Sequence, residues 1–511
     1  MPSFSSAMLR VGTRYETHQC AIPRPSVVTA SGSYPKRTSA WTETACSTRA
    51  RISSRPCSGS ANGPHRYIAS AEKRAANASA SRRSDAAPYA LSHRSSSARV
   101  TRRIVRGRSP PSRGAPYHQG IERFDAIVVG AGPAGSLAAY KLAERGASVL
   151  LVDRARFPRD KPCGGGLTVR AVRLLPFSLA PVTEDVIRRL ELRLHYGKRF
   201  ERVRPNPIAI MTQRTRLDAF LAERATAVGA VFRDGVRVRG IEADDRGVTV
   251  DAGGQRSRGA ALIGADGANG IAARALGLCA RPAYGVALEG NLPRKELRED
   301  RYRGSILFEL GVVRSGYGWI FPKEDHVNVG VGGWEREGPT LRSKLARLCR
   351  EHGVSERQLQ GVRGHRLPVR RPDALLARGP ALVVGDAAGL IDPFSGDGIY
   401  EAFLSATLAA EATADLLAGR APDLVPYDVA VRRALQGLVA TAWAAKMALE
   451  QAPSVMFTLA RSELVQGWLE GLARGDPAPG SAFRWFPLEV LGRVARVVGE
   501  RAHAVATHRV S

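Results

Sequence analysis

The chain has 511 residues, enough for two or three domains, and its formal net charge is +29. More than half of the excess charge lies in residues 1–120, where 20 Lys and Arg stand against 4 Asp and Glu. The remaining 391 residues hold 56 Lys and Arg against 43 Asp and Glu. The body of the chain is therefore only mildly basic, which argues against a nucleic-acid-binding protein.

The cysteines and the apolar stretches limit the cellular compartments in which the protein is expected. None of the six cysteines forms a C-x-x-C pair, so neither a disulfide framework nor a metal site is indicated. No apolar stretch is long enough to span a bilayer without a charged residue. We therefore expect a protein of a reducing compartment, cytoplasmic or peripheral to the membrane.

Residues 1–120 are rich in Ser, Arg, Ala and Pro and carry no sustained periodicity, so no core is predicted there. Three interpretations compete: a transit peptide, which would make the protein plastid-targeted; a disordered basic arm; or upstream sequence that is absent from the mature protein. We favour the third, because the folded pattern begins abruptly at Phe124.

The first folded segment has the order of a nucleotide-binding β-α-β unit. In chain order it contains an apolar run at Asp125–Gly130, an alanine-rich helical pattern at Pro133–Arg145, a second apolar run at Ser148–Val152, and Asp153. The G-x-G-x-x-G spacing falls between the first run and the helix, and an acid follows the second run. Strand, helix, strand and acid in register predict a dinucleotide site.

The three glycines and the acid of this unit each have a physical role. Gly130 permits the tight turn, Gly132 lets the backbone approach a pyrophosphate, and Gly135 lets the helix pack closely on the strand. Asp153 stands where a carboxylate can accept hydrogen bonds from ribose hydroxyls. The predicted contacts of this unit with the cofactor are Gly130, Gly132, Pro133, Ala134, Gly135, Asp153 and Arg154.

Two later glycine-rich turns predict the rest of a flavin site. The first is Gly264–Gly270, with Asp266 and Gly267 at its centre. The second is Ala381–Ile399, in which an apolar strand leads to Gly385 and Asp386, and Gly396 and Gly398 precede a helix that begins at Ile399. Asp386 can hold the ribityl chain, and the N-terminus of the helix can favour the negative charge of a reduced flavin.

The order of these three motifs resembles the glutathione-reductase-like, p-hydroxybenzoate-hydroxylase-type flavoproteins, and Arg214–Asp218 resembles an element whose arginine lies near the FAD adenosine. Within that superfamily the chain is most similar to the geranylgeranyl reductases. Two stretches carry this resemblance: Lys161–Gly166, and Tyr317–Lys323 followed by Asn328–Gly330. It covers roughly residues 124–420, and it adds Cys163, Gly164 and Arg214 to the expected FAD contacts. Asp397 stands where that family usually has Glu, which keeps the charge.

The resemblance implies reduction of isolated C=C bonds in a prenyl chain by reduced FAD. Chlorophyll precursors, archaeal-type ether lipids and quinone tails are the substrates of that family. The sequence leaves the electron donor open among NADPH, NADH and ferredoxin, and it does not give the oligomeric state.

Cys163, Tyr317 and Trp319 are the candidate catalytic residues. Tyr317, Trp319 and Phe321 alternate along a strand and share one face, which is either a wall for an apolar polyene or part of a sheet core. Cys163 is either a proton relay beside the flavin or a small buried residue. A thiol with a pKa near 8.5 is a weak acid for an alkene, so the proton donor stays open.

Other functions remain as alternatives. A flavin-dependent aromatic monooxygenase shares the fold, and the CGGG loop and the Tyr317–Pro322 stretch argue against it. A flavin halogenase has a motif similar to Gly316–Pro322, but the match fails at Tyr317 and Phe321. A module that carries FAD without catalysis would leave the aromatic strand unexplained.

The predicted fold class is α/β with an α+β second domain. We expect a Rossmann-like FAD-binding domain from residues 121–200, 211–282 and 365–420, and a β-rich substrate domain at 283–364. A helical region is expected at 421–511, after the tail at 1–120. Val490–Val505 has a basic amphipathic pattern, which favours either transient contact with a membrane surface or packing on the domain.

Overall fold

The structure, a computed structural model, describes residues 121–279, 282–297, 300–314, 316–369, 374–463, 465–467 and 471. The strands are β1 Glu122–Val129, β2 Val149–Val152, β3 Gly166–Thr168, β4 Asp185–Ile187, β5 Arg189–Leu194, β6 Lys198–Val203, β7 Ala209–Met211, β8 Val231–Arg233, β9 Val238–Asp244, β10 Gly247–Ala252, β11 Gln255–Gly264, β12 Ala283–Pro293, β13 Ser305–Leu310, β14 Tyr317–Pro322, β15 His326–Trp334, β16 Gln360–Val369, β17 Ala377–Arg378 and β18 Ala381–Val383. The helices are α1 Pro133–Ala143, α2 Val169–Val172, α3 Arg214–Ala227, α4 Ala272–Ala275, α5 Leu341–Glu351, α6 Ile399–Leu417, α7 Val425–Gln451 and α8 Pro453–Ala460.

The first sheet carries the nucleotide-binding motifs. Its strand order is β17-β18-β11-β1-β2-β8. β8, β2, β1, β11 and β18 run parallel to one another, and β17 is antiparallel to β18. β10 and β9 extend β11 as an antiparallel branch. β2 is buried along its whole length, as its uninterrupted apolar run predicts. The chain leaves β1 toward β2 on one side and returns to β11 on the other, which creates a topological switch point at the carboxyl ends of β1 and β11.

The second sheet is built mainly from antiparallel strands. Its order is β16-β12-β15-β14-β13-β5-β6, with β5 parallel to β13 and the other neighbours antiparallel. One face of it packs on α5, whose buried Leu341, Leu345 and Leu348 join the core of this sheet. The opposite face lies across a cavity from the carboxyl ends of the parallel strands of the first sheet.

The strand pairing corrects the expected domain limits. Residues 189–200, which form β5 and the first part of β6, were expected in the FAD-binding domain, whereas both strands belong to the second sheet, because β5 pairs with β13 more than a hundred residues later. The β16 strand, 360–369, also belongs to that sheet, so the predicted change of domain at residue 365 falls within a strand. The short third sheet, of order β3-β7-β4, belongs to neither of the two larger sheets.

Helices cover the first sheet and continue beyond it. α1 packs against both α3 and α6, and its small residues Ala134, Gly135, Ala138 and Ala139 are buried. α6 occupies the residues predicted for it and is followed by α7 and α8. Among the described residues, no helix combines the length and apolar character that crossing a bilayer requires. Residues 1–120 and the Val490–Val505 pattern lie outside the described residues.

Candidate functional site

A cavity of about 780 Å³ lies between the ligand-binding edge of the first sheet and one face of the second sheet. Its volume is within the range of roughly 300–1,000 Å³ that ligand pockets usually have. Gly130, Asp153, Asp266 and Asp386 line it, and each follows the carboxyl end of a parallel strand. The cavity therefore occupies the switch point at which open α/β sheets bind ligands.

Every predicted cofactor-binding and catalytic residue except one lines this cavity. The residues that line it are Gly130, Gly132, Pro133, Ala134, Asp153, Arg154, Cys163, Gly164, Arg214, Asp266, Gly267, Tyr317, Trp319, Gly385, Asp386, Gly396, Gly398 and Ile399. The exception is Gly135, where a Cβ would lie 1.8 Å from the carbonyl oxygen of Gly130. Gly135 is thus needed for close packing of α1 on the turn, as its position in the motif predicts.

The turn after β1 requires glycine at Gly130. Its φ is +104°, and a Cβ there would lie 2.3 Å from the carbonyl oxygen of Ala265. Gly132 is the N-cap of α1 and has ordinary φ; the nearest atom to a Cβ there is a guanidinium nitrogen of Arg159 at 3.3 Å, followed by one of Arg214 at 3.9 Å. Two guanidinium groups therefore flank the N-terminus of α1, where positive charge suits a pyrophosphate.

Asp153 organises this loop as well as lining the cavity. Its Oδ2 accepts the N–H of Ala131 at 2.8 Å and its Oδ1 accepts the N–H of Ala155, also at 2.8 Å. Each oxygen has a further lone pair for a ribose hydroxyl. The carboxylate predicted to face a ribose therefore also ties the turn after β1 to the segment that follows β2.

Arg214 is held in place by Asp218, four residues later on α3. Nε and Nη2 of Arg214 donate to the two carboxylate oxygens at 2.8 Å each, and Arg159 Nη2 lies 2.9 Å from Asp218 Oδ2. Burial opposes the charge on Arg214, but Asp218 outweighs it and raises the pKa of the guanidinium above its usual value. The Arg-x-x-x-Asp spacing thus builds a fixed bidentate pair that presents cations to the cavity.

Asp266 lines the cavity and has one oxygen without a hydrogen-bond partner. Its Oδ2 accepts the N–H groups of Ile271 at 2.6 Å and Ala272 at 2.9 Å, while its buried Oδ1 has no hydrogen-bond partner. Burial raises the pKa of this carboxyl, and the two N–H groups partly offset that effect. A buried acceptor with no partner is costly unless a ligand donates to it.

Asp386 lies in a cluster of opposite charge. Lys161 Nζ donates to its Oδ2 at 2.7 Å, and His365 Nε2 lies 4.0 Å from the same oxygen without a hydrogen bond. Burial opposes ionisation of Asp386, but Lys161 and His365 together hold its pKa below the usual range. This carboxylate stays ionised and can accept hydrogen bonds from ribityl hydroxyls.

The N-terminus of α6 lines the same part of the cavity, since a Cβ at Gly398 would lie 3.3 Å from Asp386 Oδ1. Gly398 is the N-cap, and Asp397 Oδ1 accepts the N–H of Ile399 at 2.9 Å. The shorter carboxylate at 397 therefore reaches the first turn of the helix. Burial raises the pKa of Asp397, with Arg170 opposing the shift.

The second sheet presents alternate residues of five strands to the cavity. They are Gly285, Ala287 and Glu289 of β12, Ile306 and Phe308 of β13, Tyr317, Trp319 and Phe321 of β14, Gly332 of β15, and His365, Leu367 and Val369 of β16. The strand period of two thus produces a single face that is aromatic and aliphatic except at Glu289 and His365. Tyr317, Trp319 and Phe321 do share this face, as predicted.

The aromatic row is held by contacts within the sheet. The ring of Phe308 meets those of Tyr317 and Phe321 edge-on at 5.3 Å, and Trp319 Nε1 donates to Asn328 Oδ1 at 2.7 Å. A Cβ at Gly330 would lie 2.1 Å from the Trp319 ring, so glycine at 330 makes room for the indole. The row is therefore preorganised and faces the cavity with its apolar surface.

The loop at Cys163–Gly166 contacts both this face and a buried lysine. The Cys163 N–H donates to Glu289 Oε1 at 2.7 Å, and a Cβ at Gly164 would lie 2.8 Å from the Phe321 ring. Lys323 Nζ donates to the Gly164 carbonyl at 2.5 Å. Lys323 is 2% exposed, and burial lowers its pKa to about 8.

Three of these groups were not expected from the sequence to belong to the site: Glu289, Lys323 and His365. Glu289 gave one signal, since it is the only charged residue in the apolar run VALEGNL of β12. Lys323 ends the aromatic stretch, where an exposed lysine would be ordinary. Their importance depends on burial, which the strand pairing decides.

The residues present fit FAD. Glycines keep the N-terminus of α1 open, cations flank it, and the buried Asp266 Oδ1 lacks a partner. The ionised Asp386 and the N-terminus of α6 follow at the other part of the cavity. Pyrophosphate, ribose, ribityl chain and flavin would thus each meet a complementary group.

Comparison with known proteins agrees with this assignment. A model described as an FAD binding domain matches residues 123–288. A menaquinone reductase of Mycolicibacterium smegmatis is 35% identical over 313 residues, which are 57% of this chain and 76% of that protein. A geranylgeranyl diphosphate reductase of Rhodobacter capsulatus is 31% identical over 315 residues, 59% of this chain and 78% of that protein.

Solved structures share the fold. A geranylgeranyl bacteriochlorophyll reductase-like protein from Thermoplasma acidophilum superposes with a TM-score of 0.61 at 22% identity, and the match covers 73% of this chain and 100% of that protein. A flavin-dependent brominase gives a TM-score of 0.60 at 18% identity over 73% of this chain and 99% of its own. The fold is thus common to a reductase-like protein and a halogenase, whereas the sequence relatives named above are reductases. The chain belongs to the geranylgeranyl reductase family of FAD-dependent oxidoreductases.

Proposed function

We propose that the protein reduces C=C bonds in the prenyl chain of a lipid, quinone or chlorophyll precursor. The observation that carries this proposal is the preorganised aromatic and aliphatic face of the second sheet, directly across the cavity from the FAD-binding edge. FAD supplies the two-electron, hydride-level chemistry when it is bound and reduced. The apolar face binds the polyene and excludes water from the reacting carbons.

Within this function each group of residues has a separate task. Residues of the first sheet bind the cofactor, with Asp153, Asp266 and Asp386 as hydrogen-bond acceptors and Arg214 as a cation near the pyrophosphate. Tyr317 and Trp319 orient the prenyl chain. Cys163 and Gly164 form the loop between cofactor and substrate.

The cavity also borders α7, and this part suits the portion of the substrate beyond the prenyl chain. Trp334 and five residues of α7 line it, among them Lys446, whose Nζ lies 4.5 Å from the centroid of the Trp334 ring. Burial lowers the pKa of Lys446 to about 8. A quinone ring or another polar head group can meet this cation while the tail lies on the aromatic row.

Substrate choice is tested with purified enzyme, an artificial or nicotinamide reductant, and a panel containing menaquinone, geranylgeranyl diphosphate and an aromatic acid. We expect a gain of two hydrogens per reduced bond in at least one prenyl compound by mass spectrometry. Incorporation of oxygen into the aromatic acid, with every prenyl compound unchanged, would favour the monooxygenase alternative instead. Comparison of NADPH, NADH and reduced ferredoxin in the same assay identifies the electron donor.

A prenyl substrate of this kind is dissolved in a membrane, so we infer transient contact of the enzyme with the bilayer surface. Co-sedimentation with vesicles that contain anionic lipid, compared at low and high salt, tests this contact. If the enzyme does not sediment with the vesicles at either salt concentration, the contact is contradicted.

A further inference from the structure

We propose that Glu289 is the acid that protonates the substrate alkene, and that the backbone of Cys163 positions its carboxyl group. This inference rests on the proposed prenyl reduction. It supplies the proton donor that the sequence alone leaves open.

The chemistry requires a stronger acid than a thiol. An isolated trisubstituted alkene is a poor hydride acceptor, whereas proton transfer to one carbon makes the other carbon cationic and receptive to hydride. A carboxylic acid has an ordinary pKa near 4.3 and a thiol one near 8.5, so the carboxylic acid is the better donor by about four orders of magnitude in acid strength. In balance, the Glu289 O–H bond breaks and a C–H bond forms. The second carbon receives the hydride from the reduced cofactor, and water returns a proton to the carboxylate.

Glu289 lines the cavity in which the prenyl chain would bind. Strand alternation puts Gly285, Ala287 and Glu289 on the cavity face of β12, and the two small residues leave room beside the carboxyl group. Of the described cavity-lining residues that the second sheet contributes, Glu289 is the only carboxylic acid. It is 7% exposed, so water does not compete freely for its proton.

The loop between cofactor and substrate aims the carboxyl group. Oε1 of Glu289 accepts the Cys163 N–H at 2.7 Å, and the next residue, Gly164, packs its backbone against Phe321. The carboxyl group is therefore fixed at the junction of the loop and the aromatic row. The Cys163 thiol accepts the N–H of Gly165 at 3.3 Å, which gives the side chain a role in shaping the loop.

The surroundings keep the carboxyl protonated to higher pH than an exposed glutamate. Burial raises the pKa of Glu289, while the Cys163 N–H, Lys323, Arg363 and Asn328 oppose the rise without cancelling it. His365 and Tyr317 are the other titratable side chains that these strands turn toward the cavity. His365 lies beside Asp386, at the ribityl-binding part of the site, and burial raises the pKa of Tyr317 above its usual value.

The test compares Glu289→Gln with Cys163→Ser, His365→Gln and the surface control Glu242→Gln. Gln at 289 keeps the size and the acceptor for Cys163, and Glu242 pairs with Arg256 on an exposed strand. FAD content and the flavin spectrum are measured first, and single-turnover rates are then followed from pH 5 to 9. We expect Glu289→Gln to bind FAD normally and to lose about 10²-fold or more of the turnover rate. We also expect Cys163→Ser and His365→Gln to keep the wild-type fall in rate at high pH, and Glu289→Gln to lose it.

A second readout does not depend on turnover. In FAD-free protein, the infrared band of a protonated carboxyl is measured against pH as the difference between wild type and Glu289→Gln. The band should persist above the pH at which exposed glutamates ionise, and its loss in the ordinary range would overturn the proposal.

The possible outcomes distinguish a failure of the proposed function from a failure of the role of Glu289. Wild type that leaves every prenyl substrate unchanged overturns the proposed function and the role of Glu289 with it. Wild type that is active while Glu289→Gln turns over within a few-fold of it overturns only the role of Glu289. A 10²-fold loss in His365→Gln together with an active Glu289→Gln would transfer the role to the histidine.

Discussion

At the scale of single residues, two carboxylates of one cavity are driven in opposite directions by their neighbours. Asp386 meets Lys161 at 2.7 Å and stays ionised in spite of burial, as an acceptor for a hydroxyl group must. Glu289 meets only more distant cations, and burial favours its neutral form. The side-chain type is similar at both positions, so the environment decides which one accepts and which one donates.

Lys323 allows a direct test of how deeply the loop-supporting cation is buried. Its pKa in the folded protein is about 8, below the unfolded value of 10.5, so the unfolded state binds more protons between these two pH values. The stability contributed by this residue therefore rises as pH increases from about 8 to 10.5. The difference in free energy of unfolding between wild type and Lys323→Met should grow over that window by on the order of 2–3 kcal/mol in urea titrations. A difference that does not change with pH would mean that the lysine is solvated.

At the scale of elements, the β-α-β unit could be predicted closely because its signals are local. The helix predicted at 133–145 is α1, Pro133–Ala143, and the one predicted to begin at Ile399 is α6, Ile399–Leu417. Glycine spacing, apolar runs and helical periodicity are read within some thirty residues.

The domain limits and the parts played by Glu289 and Lys323 could not be predicted, because they depend on distant strand pairing. The assignment of 189–203 to the second sheet follows from β5 lying parallel to β13 at 305–310. The exposure of Glu289 and Lys323 likewise depends on which loop passes over β12 and β14. Alternation along β14 predicted a shared face for its aromatic residues, but the loop that covers this face comes from the other sheet.

The N-terminus of α1 gives a prediction for cofactor binding. Gly132→Val adds a branched side chain where the nearest atom to the Cβ position, a guanidinium nitrogen of Arg159, lies 3.3 Å away, so the FAD-free protein should fold with little loss of stability. The added methyl groups would occupy the position of the pyrophosphate, and purified protein should contain less than a tenth of the FAD of wild type. Gly146→Ala, a position with positive φ and open space, is the control for backbone effects. A yellow Gly132→Val protein with full FAD content would contradict the assignment of the pyrophosphate site.

The second sheet gives a prediction for substrate binding alone. Gly330→Ala places a Cβ 2.1 Å from the Trp319 ring and must displace the indole, whereas Gly364→Ala in β16 meets only ordinary contact at 3.4 Å. We expect Gly330→Ala to retain FAD and to lose about 10-fold or more in kcat/KM for the prenyl substrate, which corresponds to roughly 1.4 kcal/mol. Gly364→Ala should behave as wild type. Equal activity of the two variants would show that the aromatic row does not orient the substrate.

At the scale of the whole molecule, the two sheets divide the work between them. The parallel sheet presents the carboxyl ends of its strands to the cofactor, and the second sheet presents one aromatic face to the substrate. The loop Cys163–Gly166 belongs to the chain of the first sheet but packs on the face of the second. Solved structures with the same fold include a brominase and a reductase-like protein, so the fold alone does not decide the chemistry.

The most direct test of prenyl reduction by the bound flavin is an anaerobic single turnover. The FAD-loaded enzyme is reduced stoichiometrically, mixed with one equivalent of the prenyl substrate found in the panel, and followed by flavin absorbance and product mass. We expect the oxidised flavin spectrum to return without oxygen and the product to gain two hydrogens for each flavin reoxidised. A flavin that stays reduced until oxygen is admitted would contradict it.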